Sequence, residues 1–180
     1  MEPSPPDELI ARGRVARGEQ KLNEARDSYA RAVELCQKGK DGTLLAEALC
    51  GLGQIERDLG NATATLKHYG AAVELRRRQD APLQLAHTVR HVGDIYHGLK
   101  QPDKALLSYE EALAIYRGHE ETPPLDLANA IRGYALLKAD LGDPEEATFL
   151  WHEAMALYAE AGVQAGVAES QSQIAFLMGR

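Results

Sequence analysis

One segment of the chain carries residues whose types and spacing could bind a metal. HTVRHVGDIYH at 87–97 holds three of the six histidines. His87 and His91 are four residues apart and Asp94 follows three residues later, so on a helix all three share one face. Imidazole and carboxylate groups arranged in this way can ligate zinc. Because no fourth ligand is evident, we predict no metal and no cofactor, and we interpret these as surface histidines that titrate near pH ~6.5.

Catalytic signatures are missing from the rest of the sequence. It contains no nucleophile elbow, no phosphate-binding loop and no HExxH segment. No spacing forces two carboxylates together. Cys36 and Cys50 form no CxxC pair, and no histidine lies at zinc-finger spacing from them. These observations predict a protein that is not an enzyme, with two free thiols of the kind found in reducing compartments.

The bulk composition restricts the classes of partner. The formal net charge is −7 and the sequence pI is near 5.4, which argues against a nucleic-acid binder and against attachment to an anionic membrane. The N-terminal sequence MEPSPPDELIARGR lacks the apolar core of a secretory signal. No window approaches the ~18 apolar residues of a membrane span. We therefore expect a cytoplasmic protein that contacts neither nucleic acid nor membrane.

Aromatic residues recur at a nearly constant interval and reveal an internal repeat. Spacings of 40, 40 and 42 residues separate Tyr29, Tyr69, Tyr109 and Trp151. Each is followed three residues later by an alanine, and after three more by an aliphatic residue. Matching turn sequences lie between these sets: DLGN at 58–61, GLKQ at 98–101 and DLGD at 140–143. So many coincidences in phase indicate repeated structural units.

Each unit has the pattern of helix, turn and helix. Leu49, Leu52 and Ile55 recur at the spacing of an apolar helical stripe. Gly60 and Gly142 come where a left-handed helix cap is needed. Asn61 and Asp143 then stand where a side chain can cap the following helix. The predicted helices are 7–18, 22–38, 44–59, 62–78, 83–99, 102–118, 125–141, 144–161 and 166–178.

The repeat resembles that of the tetratricopeptide family. The similarity is carried by LCGLG at 49–53, VRHVGDIY at 89–96 and ALLSYEEAL at 105–113. The 40- to 42-residue units are longer than the family's usual ~34 residues and are similar to repeats of kinesin light chains and of bacterial signalling regulators. The resemblance implies an all-α fold, a right-handed α-solenoid of about four helical hairpins plus a single C-terminal helix. We expect a flexible tail over 1–6 and one domain over 7–180.

The resemblance also implies a function and a site. Members of the family bind a peptide or helix of a partner in a concave groove lined by the first helix of each hairpin. The positions that match are Arg57, His87, Arg90, His91, Asp94, Asn129 and Arg132. Arg90 and Arg132 occupy the same position in adjacent units, which suits a partner with acidic residues. A solvated helix face is the alternative interpretation of these polar residues.

The C-terminal helix suggests a second function. Residues 174–178 read IAFLM and are apolar around most of a helix. One or two of these side chains must then face outward from the last hairpin. The sequence therefore also predicts an oligomerisation or sensor module of a larger regulatory system, with a homodimer through 166–178.

Overall fold

In a computed structural model that describes residues 4–179, all regular secondary structure is helical. The helices in this part of the chain are α1 (Pro6–Gly18), α2 (Leu22–Gly39), α3 (Gly42–Asp58), α4 (Ala62–Arg77), α5 (Pro82–Gly98), α6 (Pro102–Arg117), α7 (Pro124–Asp140), α8 (Pro144–Glu160) and α9 (Gln164–Met178). They form successive helical hairpins followed by one further helix, which confirms the predicted all-α repeat fold. Within each hairpin we call the odd-numbered helix the first helix and the even-numbered helix the second.

The helix ends follow the predicted turn chemistry with one exception. Gly60 and Gly142 adopt the left-handed conformation, with φ of 80° and 82°. Asp143 caps α8 by accepting a hydrogen bond from the backbone N–H of Glu146. Asn61 makes no such cap and instead donates from Nδ2 to the carboxylate of Glu56 at 2.8 Å. The predicted cap at Asn61 is therefore wrong, because the Asn61 amide donates instead to the buried carboxylate of Glu56, five residues earlier.

The predicted tail over 1–6 is only partly described. Residues 1–3 lie outside the described residues, and α1 begins at Pro6, one residue earlier than expected. Proline suits this position because the first helical turn needs no N–H from it.

The described residues divide into two compact units, one ending at Thr88 and the other beginning at Val89, within α5. In the first unit, the ring of Tyr29 fills the space left by two glycines. A Cβ on Gly13 would lie 2.7 Å from this ring and a Cβ on Gly51 2.2 Å from it. Tyr69 is fully buried beside Gly53, as predicted.

The second unit repeats this packing. Tyr109 is 1% exposed, and Trp151 is fully buried, in agreement with the sequence-based prediction. Tyr158 packs on Gly166, where a Cβ would lie 2.4 Å from its ring. Small residues on the first helices thus let large aromatic rings of the second helices pass between them, which brings their hydroxyl groups to the other side.

The last helix of the second unit is amphipathic at its end. Ile174 and Leu177 are each 8% exposed, whereas Phe176 is 56% and Met178 75% exposed. None of the described helices has both the length and the apolar character that crossing a bilayer requires.

Candidate functional site

The first helices of the second unit carry a closed cluster of polar side chains around Asp94. Arg90 Nη1 donates to Asp94 Oδ2 at 2.9 Å, and Arg90 Nη2 lies 2.8 Å from His91 Nε2. His91 Nδ1 lies 3.3 Å from the same Asp94 oxygen. Since arginine only donates, Nε2 is the acceptor and Nδ1 carries the proton, so the contacts fit a neutral His91. Arg90 and His91 side chains are each only 12% exposed.

Tyr109 completes the cluster from the second helix α6. Its ring passes between α5 and α7 at two glycines, Gly93 and Gly133, where a Cβ would lie 3.0 Å and 2.6 Å from the ring. Its hydroxyl then donates to Asp94 Oδ1 at 2.8 Å. Both oxygens of Asp94 are therefore occupied by donors of this chain.

The electrostatics of Asp94 follow from these contacts. Burial acts to raise the pKa of Asp94, but the hydrogen bond from His91 and the charge of Arg90 outweigh it and hold the pKa below its usual value. Burial raises the pKa of Tyr109 strongly, and the charge of Asp94 adds to this. Asp94 therefore stays ionised and Tyr109 stays a donor throughout the physiological range.

Arg132 on α7 makes a more exposed ion pair with the last helix. Its Nε donates to Glu169 Oε2 at 2.7 Å and its Nη2 to Glu169 Oε1 at 2.5 Å. The side chains are 39% and 34% exposed, so solvent reaches both partners. The hydrogen bond to Glu169 is the main cause that raises the pKa of Arg132, against the opposing effect of burial.

Asn129 lies three residues before Arg132 on the same helix and is held by Tyr158. The Tyr158 hydroxyl donates to Asn129 Oδ1 at 2.9 Å. This contact occupies the amide oxygen and leaves the two N–H donors of Nδ2 on the other side of the amide. Asn129 is half-buried and, three residues from Arg132, lies on the same face of α7.

A further pair connects α5 with α7 at their C-terminal ends. His97 Nε2 lies 3.0 Å from Asp140 Oδ2, and Lys100 Nζ lies 3.4 Å from the same oxygen. The hydrogen bond from His97 is the largest cause that lowers the pKa of Asp140.

Two predicted site residues belong to the first unit. Arg57 is 37% exposed, with Nε 3.7 Å from Asp58 Oδ1. His87 is half-buried on the part of α5 that precedes the unit boundary. Asp58 also accepts from Arg17 Nε at 2.7 Å, and Arg14 pairs with Glu47. The first helices of this unit are therefore bridged by cations of α1 and carboxylates of α3.

The structure brings Arg90, His91 and Asp94 into direct contact and places Asn129 and Arg132 together on α7. Sequence reasoning missed three hydrogen-bond partners of these residues: the hydroxyls of Tyr109 and Tyr158, and the carboxylate of Glu169. The two tyrosines carry a signal, since a large ring beside glycines can reach the opposite face. No group of three metal-ligating side chains occurs among residues 4–179.

Comparison with known proteins identifies the repeat. The family model described as "Tetratricopeptide repeat" matches residues 44–118. Among solved structures the chain is similar to BtubC from P. vanneervenii, with 20% identity, a TM-score of 0.78 and coverage of 90% of this chain and 68% of that one. No curated protein sequence matches the chain.

Two further solved structures are similar as well. One is a Signal Transduction ATPase with Numerous Domains from Pyrococcus horikoshii that has a tetratricopeptide repeat sensor, with 16% identity and a TM-score of 0.83. The other is the apo form of RapI, with 12% identity and a TM-score of 0.79. These matches cover 94% and 95% of this chain but only 26% and 47% of the two larger chains, and at such identities they show the fold alone.

Proposed function

Residues 44–118 match the tetratricopeptide repeat, and from that match we propose that this chain is a non-catalytic scaffold that binds a peptide or helix of a partner protein. The family generally mediates protein–protein interaction and is typically non-catalytic. We assign the contact to the first-helix face of the second unit, which we define as the surface formed by Arg90, His91, Asp94, Asn129, Arg132 and Glu169. Arg57 and His87 lie on the first unit and stay predicted contact residues by themselves.

The observation that carries the proposal is the donor set on α7. Arg132 is 39% exposed and offers a planar fork of N–H groups. Asn129 offers its amide N–H groups three residues earlier, with its oxygen already bound to Tyr158. A guanidinium and an amide on one helix face can take a carboxylate and a backbone carbonyl of the same bound segment. The partner segment is accordingly acidic.

The cluster around Asp94 has a different role in the proposal. Arg90 and His91 are nearly buried and Asp94 already accepts from three donors. Apart from Arg90 Nε, which is buried without a hydrogen-bond partner, the contacts of these side chains lie within the chain. They therefore form a rigid floor and contribute shape more than new hydrogen bonds. Exchangeable contacts are concentrated at Asn129 and Arg132.

The compartment of this interaction follows from the cysteines. Cys36 and Cys50 are buried free thiols. Such thiols persist in the reducing cytoplasm, so we propose a cytoplasmic partner. The net charge of −7 disfavours nucleic acid and anionic lipid as ligands of the same face.

Selection from a random-peptide display library tests the proposal. The selected peptides should be rich in Asp and Glu. Arg132→Ala should lower the affinity for these peptides about tenfold or more, since a hydrogen bond to a charged group contributes about 1.5–3 kcal/mol. The matched control is Arg117→Ala, because Arg117 also pairs with a glutamate, its Nη2 donating to both carboxylate oxygens of Glu153 between the second helices α6 and α8. Equal affinity of the selected peptides for wild type and for Arg132→Ala would refute the proposed site.

Self-association or sensing is the second candidate function. Phe176 and Met178 are more than half exposed near the end of α9. The repeat array of the similar Pyrococcus protein is described as a sensor. A homodimer through 166–178 would cover both side chains, and its test is given in the Discussion.

A further inference from the structure

The two ion pairs on the first-helix face differ in how easily a partner could replace them. The Arg90 side chain is 12% and the Asp94 side chain 30% exposed, and Asp94 also accepts hydrogen bonds from His91 and Tyr109. Arg132 and Glu169 are each more than a third exposed. Among the described residues, Glu169 accepts hydrogen bonds from Arg132 alone. An exposed ion pair of this kind is weak, so a competing carboxylate can take the place of Glu169.

We infer that Glu169 is a built-in competitor that occupies the carboxylate subsite of Arg132 until an acidic side chain of the partner displaces it. This inference rests on the proposed function, and it identifies the residue that sets the affinity of that same site. A forked carboxylate is the ligand geometry that a guanidinium favours, and Glu169 already supplies it. An incoming Glu or Asp therefore gains only the difference between its own contact and the one it replaces.

The neighbouring groups favour an acidic side chain as the displacing ligand. Asn129 presents its donors three residues from Arg132. The negative charge of Asp94 near Arg132 opposes an acidic ligand, but the charge of Arg90 and the hydrogen bonds from His91 and Tyr109 compensate it. A cationic ligand would have to pair with Glu169 and leave Arg132 without its partner. The exchange of one carboxylate for another keeps every donor of Arg132 satisfied.

Removal of the competitor should strengthen binding of an acidic ligand. The probe is an alternating Glu-Ala peptide with blocked termini, and an alternating Gln-Ala peptide serves as the neutral comparison. Affinities are measured by chemical-shift titration of the backbone amides of α7 and α9. Glu169→Gln should raise the affinity for the acidic peptide roughly two- to fivefold, which corresponds to the contribution of one exposed ion pair. It should leave the neutral peptide unchanged.

Two controls separate competition from a general change of charge. Glu153→Gln removes the same charge from the pair with Arg117 on the second helices and should leave the affinity unchanged. In an Arg132→Ala background, Glu169→Gln should have no effect, because the subsite is gone. Equal gains from the two Gln variants, or a gain that persists without Arg132, would overturn the inference. If the acidic peptide shifts no α7 amide at millimolar concentration, or binds wild type and Arg132→Ala alike, the proposed function itself fails.

Discussion

The hydroxyl of Tyr109 donates to Asp94 across two layers of helices, at 2.8 Å. Tyr109 starts on the second helix α6 and Asp94 stands on the first helix α5, with the tyrosine ring buried at the glycines between them. One side chain thus belongs to the packed core through its ring and to the proposed binding face through its oxygen. Packing and site geometry are therefore coupled at this residue.

Loss of that hydroxyl should destabilise the second unit. Tyr109→Phe keeps the ring but removes one of the donors to Asp94, and we expect a loss of about 1.5–3 kcal/mol in the free energy of unfolding. Tyr29→Phe is the matched control, because Tyr29 is equally buried between glycines and makes no hydrogen bond to another described residue. Urea denaturation of both variants would measure the difference. Similar losses in the two variants would show that the contact with Asp94 contributes nothing specific.

Asp94 should make stability depend on acid pH. Its pKa is lowered in the folded protein, so the unfolded chain binds the proton first as the pH falls. The contribution of Asp94 is thus fully present above the unfolded value of about 3.9 and is lost as the pH falls through the lower folded pKa. Urea titrations at a series of pH values should show a steeper acid loss in wild type than in Asp94→Asn. Parallel pH profiles would contradict the lowered pKa.

Glycine at position 133 should be required by Tyr109. A Cβ there would lie 2.6 Å from the ring and 2.9 Å from the hydroxyl oxygen. Gly133→Ala should therefore cost about 1–3 kcal/mol through overpacking and displace the hydroxyl from Asp94. Gly70→Ala is the control with opposite sign: a Cβ on Gly70 in α4 meets no atom within 4 Å. Alanine at an exposed helical position should stabilise by about 0.5–1 kcal/mol.

Much of the fold was predictable because periodicity reports burial directly. The aromatic repeat identified Tyr69, Tyr109 and Trp151 as core residues, and all three are buried. Glycines after the helices marked the left-handed caps at Gly60 and Gly142. These features depend on neighbours within one hairpin, so short stretches of sequence contain the necessary information.

The polar contacts were less predictable because they depend on the relative placement of distant helices. Glu56 is 2% exposed, pairs with Arg26 at 2.7 Å and accepts from Asn61, yet no sequence pattern distinguishes it from a surface carboxylate. Glu169 lies in a polar stretch of α9 and gave no sign of its pair with Arg132, 37 residues earlier. Which acid meets which base is decided only when the hairpins pack.

Trp151 should contribute more stability than any exposed aromatic residue on its helix. Its ring is fully buried, so Trp151→Ala should cost about 3–5 kcal/mol. Phe149, two residues earlier on α8, is 68% exposed, and Phe149→Ala should change stability by less than about 0.5 kcal/mol. Thermal unfolding followed by circular dichroism would compare the two variants. A small loss for Trp151→Ala would contradict its burial.

The exposed end of α9 should mediate self-association if the second candidate function is correct. Phe176 and Met178 are 56% and 75% exposed, while Ile174 and Leu177 anchor the helix to its own unit. In a two-fold contact both copies of each exposed side chain are buried. Full burial of one large apolar side chain contributes about 1.5–3 kcal/mol. Sedimentation equilibrium at micromolar concentration should therefore detect a dimer.

Phe176→Glu combined with Met178→Glu should convert the dimer to a folded monomer, because the introduced carboxylates of the two copies would repel each other across the contact. Leu107→Glu is the control, since Leu107 is 66% exposed on a different helix, α6, and its replacement should leave the dimer intact. A wild-type protein that remains monomeric at high micromolar concentration would exclude this contact.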